Sequence, residues 1–212
     1  MLTEFIINSF IVLVVVLDPI GVAPVFAALT QDNTPAYRKQ MAIRGTILSA
    51  VILVTFAFLG NFLLSALGIT LDAFKIAGGL FLLLLSIDMV FARHTGLRGT
   101  TRQENREAEH KEDISVFPLA IPLIAGPGGI TTMMLLMGAT QHNTMWVGAL
   151  MLVLFLVLLL ILTTLLSASW IIKFMGKTGS NVVSRLLGIL LAALAIQYII
   201  DGIRQGVILA SP

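Results

Sequence analysis

Apolar residues in this chain come in blocks about 20 long, the length that carries an α-helix across roughly 30 Å of hydrocarbon at 1.5 Å per residue. Hydrophobic residues fill 58% of the 212 positions, charged residues only 11%, and mean hydropathy is +1.00. A water-soluble core cannot absorb that much apolar surface. In lipid every backbone amide must be bonded internally, and segments of this length achieve that as helices. The expected fold is therefore all-α, a single polytopic membrane domain over residues 1–212 with spans near 5–29, 42–67, 74–92, 114–138, 145–172 and 182–203. Trp146 and Trp170 bracket the fifth span about 36 Å apart, as an interfacial aromatic belt requires. The N-terminus carries Glu4 and no basic run, so the first apolar block is expected to be a retained span and not a cleaved leader.

Basic residues set the expected orientation, because Lys and Arg collect on the cytoplasmic side. Arg38, Lys39, Arg44, Arg93, Arg98, Arg102, Arg106, Lys111, Lys173, Lys177 and Arg185 flank the first, third and fifth loops; only Lys75 and Arg204 flank the others. Both termini are thereby expected outside the cytoplasm. Residues 93–113 alternate in charge sign and read as a solvated cytoplasmic linker. Net charge is only +2 and the cations form no aromatic-interleaved face, so nucleic acid is not an expected partner. Cysteine is absent and the three histidines, His94, His110 and His142, fall in loops, so neither a metal nor another cofactor is expected.

Shifting the chain on itself by about 108 residues lays Asp18-Pro19-Ile20-Gly21 on Gly126-Pro127-Gly128-Gly129 and Gly68 on Gly176. One residue further, Gly79 falls on Gly188 and Ser86-Ile87-Asp88 on Ala195-Ile196-Gln197. Residues 1–92 and 114–205 thus read as two three-span repeats. Three is odd, so the second enters the membrane from the opposite face, an inverted repeat of the kind from which secondary transporters are built.

Each repeat opens with a span that its own sequence should break. Asp18-Pro19, Gly21 and Pro24 interrupt the first; Pro118, Pro122 and Gly126-Pro127-Gly128-Gly129 interrupt the fourth. Proline costs about 3 kcal/mol inside a helix, and glycine adds about 1 relative to alanine. Asp-Pro and Gly-Pro both read as helix starts, an N-cap followed by proline at the first helical position. Two half-helix N-termini would then meet near the membrane centre and favour an anion. Asp18 can accept from the amides of Ile20 or Gly21, whereas Gly126 leaves those of Gly128 and Gly129 free. A zwitterionic substrate fits this pair, its carboxylate on the free amides with Thr131 and Thr132 nearby, its ammonium balanced by Asp18. The same glycines also suit close helix packing alone.

Asp88 lies inside the third span, as a proton-coupling group or as the helix-end partner of Arg93 or Arg44. Lys75 with Asp72 reads as an interfacial pair, and Thr163, Thr164, Ser167 and Ser169 as packing groups. Enzyme readings find no support. No histidine lies in a span for a metalloprotease, Asp18 and Asp88 sit at different depths, and phosphate-loop, dinucleotide and Ser-His-Asp signatures are missing.

The runs Leu17-Asp18-Pro19-Ile20-Gly21, Ile76-Ala77-Gly78-Gly79-Leu80 and Phe117-Pro118-Leu119-Ala120-Ile121-Pro122-Leu123-Ile124-Ala125-Gly126-Pro127-Gly128 resemble the signatures of the MarC family of inner-membrane proteins. The resemblance spans essentially the whole chain. It implies transport of small neutral amino acids such as glycine and alanine, with serine a further choice on size, and carries Gly21, Gly126, Gly128 and Gly129 over as substrate-region positions. The expected function is secondary transport at the facing breaks, lined by Asp18, Pro19, Gly21, Gly126, Pro127, Gly128, Gly129, Thr131 and Thr132, with H⁺ or Na⁺ coupling through Asp18 or Asp88. Export of drugs or other metabolites, and a non-transporting membrane scaffold, are the alternatives.

Overall fold

The structure, a computed structural model, describes residues 1–91, 113–141 and 143–208. The linker cations Arg93, Arg98, Arg102, Arg106 and Lys111, the three histidines and any pairing of Asp88 with Arg93 lie outside those residues. All regular structure among the described residues is helical: α1 (Leu2–Leu17), α2 (Pro19–Leu29), α3 (Pro35–Ala66), α4 (Leu71–Val90), α5 (Ser115–Ile124), α6 (Pro127–Ala139), α7 (Thr144–Leu166) and α8 (Ala168–Ile203), followed by a short π-wound turn, Arg204–Ile208.

The starts are written in the sequence. Thr34 accepts from the Tyr37 amide at 3.3 Å ahead of Pro35, and Thr70 accepts from the Ala73 amide at 3.2 Å. Asn143 accepts from the Met145 and Trp146 amides at 3.0 and 3.4 Å. Each side chain satisfies amides that a helix N-terminus leaves without partners.

Five helical stretches among the described residues are long and apolar enough to cross a membrane: Leu2–Leu29, Pro35–Ala66, Leu71–Val90, Thr144–Leu166 and Thr178–Gly206. The pair α5–α6, bent by 58°, makes a sixth when counted as one span. The protein is thus a polytopic helical membrane protein. Two boundaries differ from expectation. The second span begins seven residues earlier than position 42, because the Thr34 cap and Pro35 start α3 there. The fifth ends at Leu166 and not at 172: the Ser167 amide closes α7 on the Thr163 carbonyl at 3.0 Å, its carbonyl receives the Ile171 amide at 2.9 Å to open α8, and Trp170 belongs to that second helix. Trp146 and Trp170 therefore do not bracket one rod. After a first stretch, α8 turns at Gly176 (φ 66°, ψ 173°), a conformation only glycine adopts readily, and the membrane-crossing part follows.

Lipid gives no hydrophobic drive for helix association, so packing relies on small residues that let backbones approach. The antiparallel pair α4–α8 is made this way. A Cβ on Gly79 would lie 2.7 Å from the Ala195 carbonyl oxygen, one on Gly188 3.2 Å from that of Ser86, and one on Gly202 2.7 Å from that of Asp72. Elsewhere α3 packs on α5 and α6 while α7 packs on α1 and α2, and α4 packs on α6 while α8 packs on α2. Leu13, Leu17, Leu53, Leu119, Met133 and Ile161 fill the interior. Phe58, Phe62, Phe155 and Leu159 face outward, as side chains toward lipid do.

Candidate functional site at the two helix breaks

The first break is a single residue. Asp18 takes a left-handed conformation (φ 44°, ψ 67°); its amide closes α1 on the Val14 carbonyl at 2.9 Å, and its carbonyl receives the Val22 amide at 3.1 Å to open α2. Proline at position 19 needs no amide partner in the first turn, which is why the new helix starts there. The Asp18 side chain, 2% exposed, accepts from the Gly21 amide at 3.0 Å through Oδ1 and from the Ser184 hydroxyl at 3.2 Å through Oδ2. A Cβ on Gly21 would overlap that carboxylate, lying 2.7 Å from its Cγ and 2.8 Å from Ser184 Oγ. Gly21 is glycine because the cap folds over it.

Pro24 creates a second need in the same helix. It has no N–H, so the Ile20 carbonyl one turn earlier loses its helical partner. Ser180 supplies the replacement, its hydroxyl donating to the Ile20 carbonyl at 3.0 Å. Ser180 and Ser184, four residues apart on one face of α8, thus close the two polar gaps of the first break. Neither was singled out from sequence. The available signal was the pairing of an intrahelical proline with an i, i+4 serine pair in another span, which identifies a donor but not which helix will use it.

The second break is longer and rougher. Phe117 (φ −130°, ψ 124°) and Ile121 (φ −121°, ψ 125°), each preceding a proline, are extended because proline excludes its predecessor from the helical region. Wide bonds span them, from the Leu119 amide to the Ile114 carbonyl at 3.2 Å and from Ala125 to Ala120 at 2.8 Å. Gly126 (φ −76°, ψ 177°) precedes Pro127, and no side chain caps α6. A Cβ on Gly126 would overlap the Pro122 carbonyl oxygen.

The two breaks meet. A Cβ on Gly128 would sit 3.7 Å from Val16 Cγ1, and one on Gly129 2.9 Å from Leu17 Cδ2, so the last turn of α1 covers the first turn of α6. A cavity of about 10 Å³, room for roughly one water, lies at this junction between Val16, Leu85, Pro122, Gly126, Gly128 and Gly129. Thr132, fully buried, has a hydroxyl with no hydrogen-bond partner among the described residues. The uncapped N-terminus of α6 lines this cavity and favours an anion, and the buried Thr132 hydroxyl follows one turn later in the same helix.

The contacts place the other residues singled out in the sequence. The Asp18 carboxylate caps the Gly21 amide, as its position before Pro19 leads one to expect, and also reaches Ser184 of α8. Thr131 turns its methyl group onto Gly78 of α4. Gly128 is lined by Leu82 and Leu85, each with a methyl 3.1 Å from a Cβ placed there, so a bulky residue would disturb packing as well as any ligand. Asp88 is half-buried in the last turn of α4 and is not brought to the breaks; its neighbour Met89 packs on Gly188 of α8. Among the remaining polar residues, Lys75 pairs with Asp72 at 3.0 Å, and the Thr163 and Thr164 hydroxyls donate back to the Leu160 carbonyl.

The model of the MarC family integral membrane proteins matches residues 3–207. The chain is 37% identical over 202 residues to the UPF0056 membrane protein MJ1677 of Methanocaldococcus jannaschii, covering 95% of this chain and 97% of that protein. It is 33% identical to the UPF0056 membrane protein YhcE of Escherichia coli, over 92% of this chain and 90% of that one. With the UPF0056 membrane protein YvbG of Bacillus subtilis it shares 35%, over 96% of both. No solved structure matches the chain.

Proposed function

The chain belongs to the MarC family of integral membrane proteins, and from that membership we propose that it is a secondary transporter of small neutral amino acids in the inner membrane. One observation carries the reading: two broken spans meet at their breaks, and one of them presents uncapped amides there, with a buried threonine hydroxyl that has no partner among the described residues one turn further on. The substrate carboxylate binds the Gly128 and Gly129 amides and the Thr132 hydroxyl. Glycine or alanine, and at most serine, suits so tight a wall; a drug-sized solute does not. No catalytic step is assigned.

The inverted repeat is supported by reciprocity of contact. The offset that pairs Gly79 with Gly188 also pairs Ser86 with Ala195. In the fold Gly79 packs on Ala195 and Gly188 on Ser86, the pattern a two-fold axis in the membrane plane would leave. The packing of α3 on α5 and α6 answers that of α7 on α1 and α2 in the same way. With the cavity at the junction only about 10 Å³, binding requires the two halves to part, and alternation between faces is the motion such halves allow. Proton coupling is assigned to Asp18, the buried carboxylate that ties α2 to α8 at the first break. The arginines and lysines flanking the first, third and fifth loops support an orientation with both termini on the periplasmic side.

The test is uptake of labelled glycine and alanine by proteoliposomes against protein-free vesicles, with proton and sodium gradients imposed in turn. Saturable flux, raised by a proton gradient, is expected. Absence of saturable flux with every small amino acid under both gradients would leave the scaffold reading, in which the glycines serve packing alone.

A further inference from the structure

A second cavity lies away from the breaks, where two chain reversals sit side by side. α2 ends beside the 30–34 turn into α3, α7 ends at Leu166, α8 begins at Ala168, and between them is a space of about 320 Å³. That is the lower end of the roughly 300–1,000 Å³ typical of small-molecule sites. Phe26, Thr30, Arg38, Lys39, Leu166 and Ser169 are among its lining residues.

The polar half is built and positively charged. Arg38 crosses the space, its Nε donating to the Thr30 carbonyl at 2.9 Å, Nη2 to the Gln31 carbonyl at 2.8 Å and Nη1 to the Ser169 hydroxyl at 3.0 Å. These partners are neutral, so they orient the guanidinium without cancelling its charge. They use three of its five N–H groups. Lys39 adds a second cation, and no acidic side chain lines the space. Neither cation takes part in an ion pair among the described residues.

The other half is apolar, with Phe26 buried at the floor and Leu166 half in the open. Close by in sequence, Trp170 and Phe174 stack with centroids 5.5 Å apart and planes within 6°, and both are largely exposed. Exposed aromatics beside the ends of two spans mark the headgroup level of a bilayer. Cations over an apolar floor at that depth match one ligand chemistry, a phosphodiester carrying acyl chains.

We propose that this cavity binds the headgroup of an anionic membrane phospholipid, Arg38 and Lys39 holding the phosphate and the Phe26 wall taking the glycerol and the head of an acyl chain. Arg38 then serves twice, closing the carbonyl end of α2 and presenting its free N–H groups to the lipid. The site is separate from the helix breaks and stands whether or not the protein transports amino acids.

The experiment uses the full chain in detergent, read by native mass spectrometry and by thermal denaturation, with phosphatidylglycerol, phosphatidylcholine or inorganic phosphate added. Phosphatidylglycerol is expected to remain bound and to raise the melting temperature by several degrees, while the zwitterionic lipid and inorganic phosphate do much less. Lys39→Gln, an exposed change, should weaken phosphatidylglycerol about fivefold, the share of one basic side chain near an anionic headgroup. Ala27→Leu, which fills the apolar side, should weaken it independently of charge. Equal retention of the two lipids, or undiminished phosphatidylglycerol binding by both variants, would overturn the proposal. Equal stabilisation by inorganic phosphate would overturn it in favour of a soluble anion.

Discussion

Replacing Gly21 by alanine tests how the first break is held. In a free helix the change is favourable, by up to about 1 kcal/mol. Here the new methyl enters the space of the Asp18 carboxylate, 2.7 Å from its Cγ. That carboxylate is short and pinned from two sides, by the Gly21 amide at 3.0 Å and the Ser184 hydroxyl at 3.2 Å, so it cannot yield without losing both bonds. Losing an aspartate N-cap costs about 1 kcal/mol. A hydrogen bond between helices in a membrane is worth about 0.6 kcal/mol on average and about 1.7 at most. Set against the propensity gain, the expected net loss is about 1–2 kcal/mol. The sign reverses in an Asp18→Ala background, where the carboxylate is gone and the Ser184 hydroxyl, 2.8 Å from the methyl but released from its partner, can turn away, so Gly21→Ala should stabilise by up to about 1 kcal/mol. Reversible unfolding in mixed micelles, followed by tryptophan fluorescence on the four members of this cycle, measures the coupling. Additive effects, or a Gly21→Ala single variant at least as stable as the parent, would refute the pinned-cap account.

Thr132→Val removes a fully buried hydroxyl that has no partner, so stability should be unchanged or rise by about 1 kcal/mol while glycine uptake falls; equal uptake would detach Thr132 from the site. Gly176→Ala should cost about 1–3 kcal/mol from backbone conformation alone, because nothing lies within 4 Å of the added methyl; a melting temperature equal to the parent would count against the turn in α8. Asp113, outside the spans, has its carboxyl held below the ordinary range, first by the Ser115 hydroxyl and then by the Ser115 amide, with Arg44 adding less. A lowered folded value gives stability that is present above the unfolded pKa of about 4 and lost as pH falls through the folded one. Asp113→Asn should therefore flatten the acid limb of the melting curve below about pH 4, and an unchanged limb would contradict this.

Much of the architecture could be read from local chemistry. The spans followed from block length and the breaks from Asp18-Pro19 and Gly126-Pro127, and the Thr34-Pro35 and Asn143 starts of α3 and α7 lie in the sequence too, although hydropathy alone places the second span seven residues late. In each case the cause lies within about four residues, the reach of a helical hydrogen bond. The direction of the Asp18 side chain was not legible, because its second partner, Ser184, is 166 residues away. Nor was the use of Ser180 by the carbonyl that Pro24 strands, or the choice of Gly78 as the floor for the Thr131 methyl. The end of α7 was misread for a related reason: residues 167–172 are apolar enough to continue a span, and hydropathy does not register a change of axis.

The amino-acid sequence determined that this protein lives in a membrane, where its helices start and where two of them must fail, because backbone demand and proline chemistry act over a single turn. Only the tertiary structure decided who answers those failures: serines of α8 at one break, leucines and an uncapped turn at the other. The reason is physical. A polar group stranded in lipid must be satisfied from whichever helix the packing of small residues brings within about 3 Å, and that neighbour is fixed by the whole bundle.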